Sequence, residues 1–215
     1  LNNQTLINFW KNEFDTMDSK FQNEAISPIL NKVGQFLSST MVRNTIAHNV
    51  SRIDIQKIMD EKKILIVDLS TGKLGEDTSA LLGAMIITQI QLAAMNRAFQ
   101  SADQRTDFYL YVDEFQNFAT EAFIKILSEA RKYKLNLILA NQYMSQIDRT
   151  IQDAIMGNVG TIMSFIVGSQ DAYILEREFG KDFPASDLVQ LGRYQIICKM
   201  SIDSETQNPF YAYTL

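Results

Sequence analysis

Cysteine and histidine are almost missing from this chain: Cys198 and His48 stand alone among its 215 residues. A single cysteine excludes an internal disulfide and a thiolate-built zinc site. A single histidine leaves a Ser-His-Asp triad or a His-rich metal centre almost nothing to work with. His48 falls in a predicted helix, where a surface or capping role is expected. Positive charge is also short, with a net charge of −5. No global basic field therefore points to nucleic acid, and any DNA contact has to come from local loops or from assembly. Long unbroken apolar runs are lacking too. The longest, Ala80–Met95, is interrupted by Thr88, Gln89 and Gln91 and is short for a bilayer span. Neither end reads as a signal peptide. A hydrophobic content of 46% with 21% charged residues is that of a soluble globular protein. The chain starts at Leu1, in mid-pattern and without a methionine, which suggests a segment of something longer.

Residues 1–60 read as a helical subdomain. Phe9, Trp10, Phe14, Met17 and Phe21 recur at helical spacing, and Ser27-Pro28 predicts a cap and first helical position for a helix over 29–37. From Lys63 the pattern changes to apolar strands alternating with helices. Strands are expected at 64–69, 108–112, 135–140, 159–167, 194–202 and 210–215. Helices are expected at 78–99, 120–133, 147–156 and 171–179, with a shorter one at 186–191. That alternation predicts an α/β fold over 61–215: a mostly parallel sheet with helices on both faces.

The most informative stretch is 108–115, FYLYVDEF. Five apolar or aromatic residues predict a central strand buried on both faces, with Tyr109, Tyr111 and Phe115 in the core. It delivers Asp113 and Glu114 to the carboxyl edge of the sheet, where α/β proteins bind ligands. Adjacent carboxylates there are costly unless a cation or a reacting water uses them. This is the shape of a Walker B motif, in which the Asp holds Mg²⁺ through its water shell and the Glu orients or deprotonates an attacking water. The plainer alternative is a pair of acids at the positive end of the next helix.

No phosphate-binding loop accompanies the pair. Gly72-Lys73 is followed by Leu74, and Val67 stands where the upstream glycine is required; Gly180-Lys181 fails similarly, with Leu175 and Asp182. Gly72 and Gly75 are read as turn residues. Two further features stand at regular places. Arg131 ends the next predicted helix, and Gln142 follows the next strand. Helix-dipole compensation and turn formation explain each alone. Together they suit an arginine finger acting on the next subunit and an amide reaching a γ-phosphate or its water. Asp171 is expected to cap the helix that it begins.

In that order, residues 64–70 (ILIVDLS), 72–75 (GKLG), 110–115 (LYVDEF), 127–133 (LSEARKY) and 139–142 (LANQ) resemble conjugative coupling proteins of the TraG/TraD type, within the FtsK/HerA superfamily of hexameric P-loop ATPases. The resemblance covers most of 25–215 and is strongest over 63–170. It implies part of a RecA-like P-loop NTPase core, preceded by part of an inserted helical domain. It also implies ATP and Mg²⁺ as cofactors, DNA passing through a homo-hexameric ring, and secretion-channel and relaxosome proteins as partners. The expected location is the cytoplasmic face of the bacterial inner membrane, with the membrane anchor and Walker A loop outside this chain. By motif, Asp113 is the Mg²⁺-linked carboxylate and Glu114 the base, with Arg131 acting in trans and Gln142 sensing the γ-phosphate. A basic residue common in related members is absent near Ile166. A HerA-like repair motor, a VirB-type secretion ATPase and a non-catalytic cargo or relaxosome adaptor are the alternatives.

Overall fold

A computed structural model describes residues 3–46, 48, 50, 53–119, 121–203 and 205–215. The chain divides into two units, 1–53 with 70–78, and 54–69 with 79–215.

The first unit is helical. Helix α1 spans Gln4–Asn8, α2 Ser19–Ser38 and α3 Thr40–Ile46. Helix α2 starts ten residues before the expected position, because the Asp18 carboxylate accepts from the backbone N–H of Lys20 and Phe21. Pro28 therefore lies inside the helix rather than opening one. His48 lies just beyond α3, exposed, with Nε2 2.7 Å from the Asn44 carbonyl oxygen.

In the second unit, α4 covers Ile55–Asp60, while the one-turn α5, Thr71–Leu74, belongs to the first unit. Gly75 follows α5 at φ +79°, a conformation that favours glycine. Helix α6, Glu76–Asn96, is continued by a 3-10 turn to Phe99. It thus runs close to the expected 78–99, and by length and composition alone it could cross a membrane. Its Ile87, Ile90, Ala93 and Ala94 instead join the main core. Strand β1, Phe108–Val112, pairs in parallel with β2, Leu135–Leu139, and α7, Glu121–Glu129, connects them. The expected helix start near Thr120 falls outside the described residues. Then come α8 (Arg149–Asn158), β3 (Thr161–Ser164), α9 (Ser169–Phe179), α10 (Ala185–Leu188), β4 (Gln195–Ile202), β5 (Glu205–Thr206) and β6 (Phe210–Tyr213).

The α/β class holds, but the expected mostly parallel sheet does not. Parallel pairing is confined to β1 and β2 among the described residues, and β3, β5 and β6 all pair antiparallel to β4. The link from β4 to β5 is only two residues long and reverses the chain, and β6 continues along β4 in the direction of β5. Residues 64–69 form no strand. Ile64 and Ile66 are 89% and 88% exposed, and the segment is anchored at its end, where the Ser79 hydroxyl donates to the Leu69 carbonyl. An apolar run reads alike whether it is laddered or merely extended.

Burial on both faces of β1 is likewise corrected. Phe108, Leu110 and Val112 face the core, whereas Tyr109 and Tyr111 are 57% and 72% exposed, beside exposed Ile138 of β2. The helices cover one face of this two-stranded sheet. Phe115 does enter the core, fully buried against Phe123 at 4.6 Å between ring centroids.

Arg97 is fully buried at the base of this sheet. Its guanidinium pairs with Asp60 and donates to the carbonyls of Thr106 and Tyr133, tying α4, the 100–106 linker and the turn after α7 to the end of α6. Replacing it leaves Asp60 and two carbonyls without their cation. Arg97→Leu is expected to cost about 3 kcal/mol, measured by urea unfolding; a cost below about 1 kcal/mol would mean that the cluster adds nothing. Gly83 marks a close approach in the same unit, since an added Cβ would lie 2.2 Å from the Phe118 ring. Gly83→Ala should destabilise by about 1–3 kcal/mol despite alanine's helix preference; a higher Tm would contradict that contact.

Candidate functional site

The site is built on one residue of backbone. The Ala140 N–H donates to the Val112 carbonyl at 2.9 Å, and the Ala140 carbonyl accepts from the Phe115 N–H at 2.9 Å. These two bonds bracket Asp113 and Glu114, one residue more than a regular parallel ladder spans, so the chain bulges there. Glu114 takes up the extra residue in the left-handed region, at φ 49° and ψ 45°. That conformation costs a non-glycine residue about 1–2 kcal/mol, and anchors on both sides hold it. Beyond it, residues 115–117 form a 3-10 turn with Phe115 pinned in the core.

The turn presents the carboxylates at the carboxyl edge of β1. Asp113 is exposed, and its Oδ1 accepts from the Glu114 N–H at 2.9 Å. Glu114 is half-buried, and both its oxygens accept amide hydrogens: Oε1 from Gln142 Nε2 and Oε2 from Gln116 Nε2. Gln142 reaches it because it stands two residues past Ala140. Asp113, Glu114 and Gln142 thus come together. Arg131 does not join them. It is exposed in the 3-10 turn 130–133, which leads into the opposite end of β2, roughly 13 Å of strand away.

A third carboxylate holds the loop that follows Gln142. Asp171, only 3% exposed, accepts from the backbone N–H of Met144 and Ser145 at 2.9 and 3.0 Å. It was expected to cap its own helix, but that helix begins at Ser169, with Gly168 at the cap position. In the first turn of α9, the Asp171 side chain is free to serve the loop after Gln142. Sequence spacing gave no signal of this long-range bond, nor of the part played by Ala140. Gln116 was also missed, although its position two residues after Glu114 was a signal that could have been read.

Among the described residues, no three metal-ligating side chains converge. One exposed carboxylate beside a second still suits Mg²⁺, which keeps several waters and takes one or two carboxylates plus phosphate oxygens. The donors here fit half of such a site, and the chain carries no glycine-rich loop to complete it.

Residues 107–181 match the family model described as the TraM recognition site of TraD and TraG. That segment holds both strands of the site and all four predicted site residues, and it bears out the TraG/TraD resemblance there. No curated protein matches the chain. Solved structures similar in fold include two of the genome packaging NTPase B204 from Sulfolobus turreted icosahedral virus 2. The complex with AMPPCP is 13% identical at a TM-score of 0.51, covering 86% of this chain and 94% of that one. The complex with sulfate is 13% identical at a TM-score of 0.51, covering 87% and 86%.

Asp171→Ala removes the acceptor of two backbone donors. It should cost about 2–3 kcal/mol and speed hydrogen exchange at the Met144 and Ser145 amides while leaving β4 amides protected. Unchanged exchange at those two amides would show that the carboxylate does not hold the loop.

Proposed function

We propose that this chain is the carboxylate half of a TraG/TraD-type coupling motor. In that reading, a homo-hexameric ATPase at the cytoplasmic face of the bacterial inner membrane feeds DNA and attached protein into a type IV secretion channel. The observation that carries the proposal is the meeting of Gln142 with Glu114 beside Asp113 at the carboxyl edge of a parallel strand pair. An ordinary helix start would need neither the left-handed turn nor the amide from the neighbouring strand. The TraG/TraD match over 107–181 and the fold shared with a packaging NTPase support the same reading.

Each side chain then has a part. Asp113 holds the water shell of Mg²⁺. Glu114 takes the proton of the water that attacks the γ-phosphorus, and Gln142 exchanges Glu114 for a γ-phosphate oxygen. Mg²⁺, held there through Asp113, would supply neutralisation of the phosphate charge. Arg131, at the far end of β2, serves the nucleotide of the adjacent subunit, where a guanidinium offsets charge on the transferred group. The phosphate cradle comes from a segment of the longer protein. A TraM-like relaxosome protein is the partner for the segment 107–181. A non-catalytic adaptor that recruits relaxosome cargo is the second reading, favoured by the recognition-site description of the matched family.

The two readings separate by turnover. In the longer protein bearing a phosphate loop, Glu114→Gln should lower ATP hydrolysis on the order of 10²- to 10³-fold, with nucleotide still bound. Arg131→Ala should lower it on the order of 10³-fold. Mixing the two mutants should restore part of the activity, because some interfaces then pair an intact Glu114 with an intact Arg131. The 215-residue chain alone should hydrolyse ATP negligibly. Wild-type turnover in both mutants would remove the motor reading, and TraM binding by a longer protein that never hydrolyses ATP would favour the adaptor.

A further inference from the structure

We infer that Gln116 is a positioning residue of this centre, holding one oxygen of Glu114 so that the other can be released to water. The inference rests on the reading of Glu114 as the base.

Both carboxylate oxygens of Glu114 accept an amide N–H, but the two amides are mounted differently. Gln116 sits inside the 3-10 turn that Glu114 begins. Phe115 and Phe118, both buried, flank that turn, and the N–H groups of Asn117 and Phe118 close it onto the carbonyls of Glu114 and Phe115. Gln142 is exposed, in irregular chain two residues beyond Ala140. One donor is fixed in the frame and the other can leave.

The polarity of the Gln116 amide is fixed as well. Its Oε1 is buried without a hydrogen-bond partner among the described residues. Turning the amide over would give that oxygen no donor and would set it against the Glu114 carboxylate, acceptor against acceptor. The negative charge on Glu114 therefore holds Gln116 with Nε2 forward, and Gln116 in return holds Oε2. When Gln142 moves to a phosphate oxygen, Oε1 is left to take the proton of a water while Oε2 stays tethered. A base kept in place through such an exchange loses less to misorientation.

Two measurements test this. In the 215-residue chain, ¹⁵N NMR of the side-chain amides should show Gln116 exchanging with solvent more slowly than Gln142, and Glu114→Ala should shift both. Gln116 side-chain resonances unmoved by Glu114→Ala would overturn the contact. In the longer protein, Gln116→Met keeps volume without the donor. It should lower kcat on the order of 10- to 100-fold, with KM for ATP within about twofold of wild type. A merely structural defect would instead lower Tm and the fraction of active protein. Wild-type kcat in Gln116→Met beside an inactive Glu114→Gln would overturn the role of Gln116 and leave the motor reading standing. An active Glu114→Gln would remove both.

Discussion

Everything at the site depends on Ala140 bonding to both sides of Asp113-Glu114. A parallel strand pair normally lets its two chains part at the carboxyl edge. Here β1 spends one residue more than a regular parallel ladder between its two bonds to Ala140, and the chain must bulge inside that span. The result is a left-handed glutamate, an exposed aspartate, and a glutamine delivered from the neighbouring strand. Backbone hydrogen bonds, which carry no sequence signature, thus set the geometry that the acidic side chains use.

The rest of the second unit serves that edge from behind. Phe115 and Phe123 pin the turn in the core, and the Asp171 carboxylate holds the loop that follows Gln142. At the other end of the strands, Arg97 gathers α4, the polar linker and the turn after α7 around one buried guanidinium. Arg105 adds to the same region by donating to the carbonyls of Arg97 and Lys132. Arg131 is therefore displayed from a braced turn, although it lies far from the carboxylates of its own chain.

Residue type and order made much of this legible. The strand 108–112, its parallel partner and the carboxylates at its end follow from a compact apolar run ending in acids. Gln142 follows from its place just after the next strand. What escaped was whatever depends on partners. Residues 64–69 have strand composition, yet composition does not say whether a neighbouring edge is available. Tyr109 and Tyr111 suit a core as well as a surface, and only the uncovered face decides. Asp171 looked like a cap because capping is the local use of a carboxylate, whereas its actual partners are 26 and 27 residues away. The antiparallel sheet escaped because long and short returns look alike until the elements are placed.

The central claim is that Asp113, Glu114 and Gln142 face one nucleotide while Arg131 faces the next. The most direct measurement is a structure of the longer protein's ring with Mg²⁺ and a non-hydrolysable ATP analogue. The account predicts the metal's water shell on Asp113, Gln142 within hydrogen-bond reach of the γ-phosphate, and Arg131 from the adjacent subunit at the same phosphate. A nucleotide bound away from the carboxyl edge of β1, or Arg131 directed at no nucleotide, would contradict it.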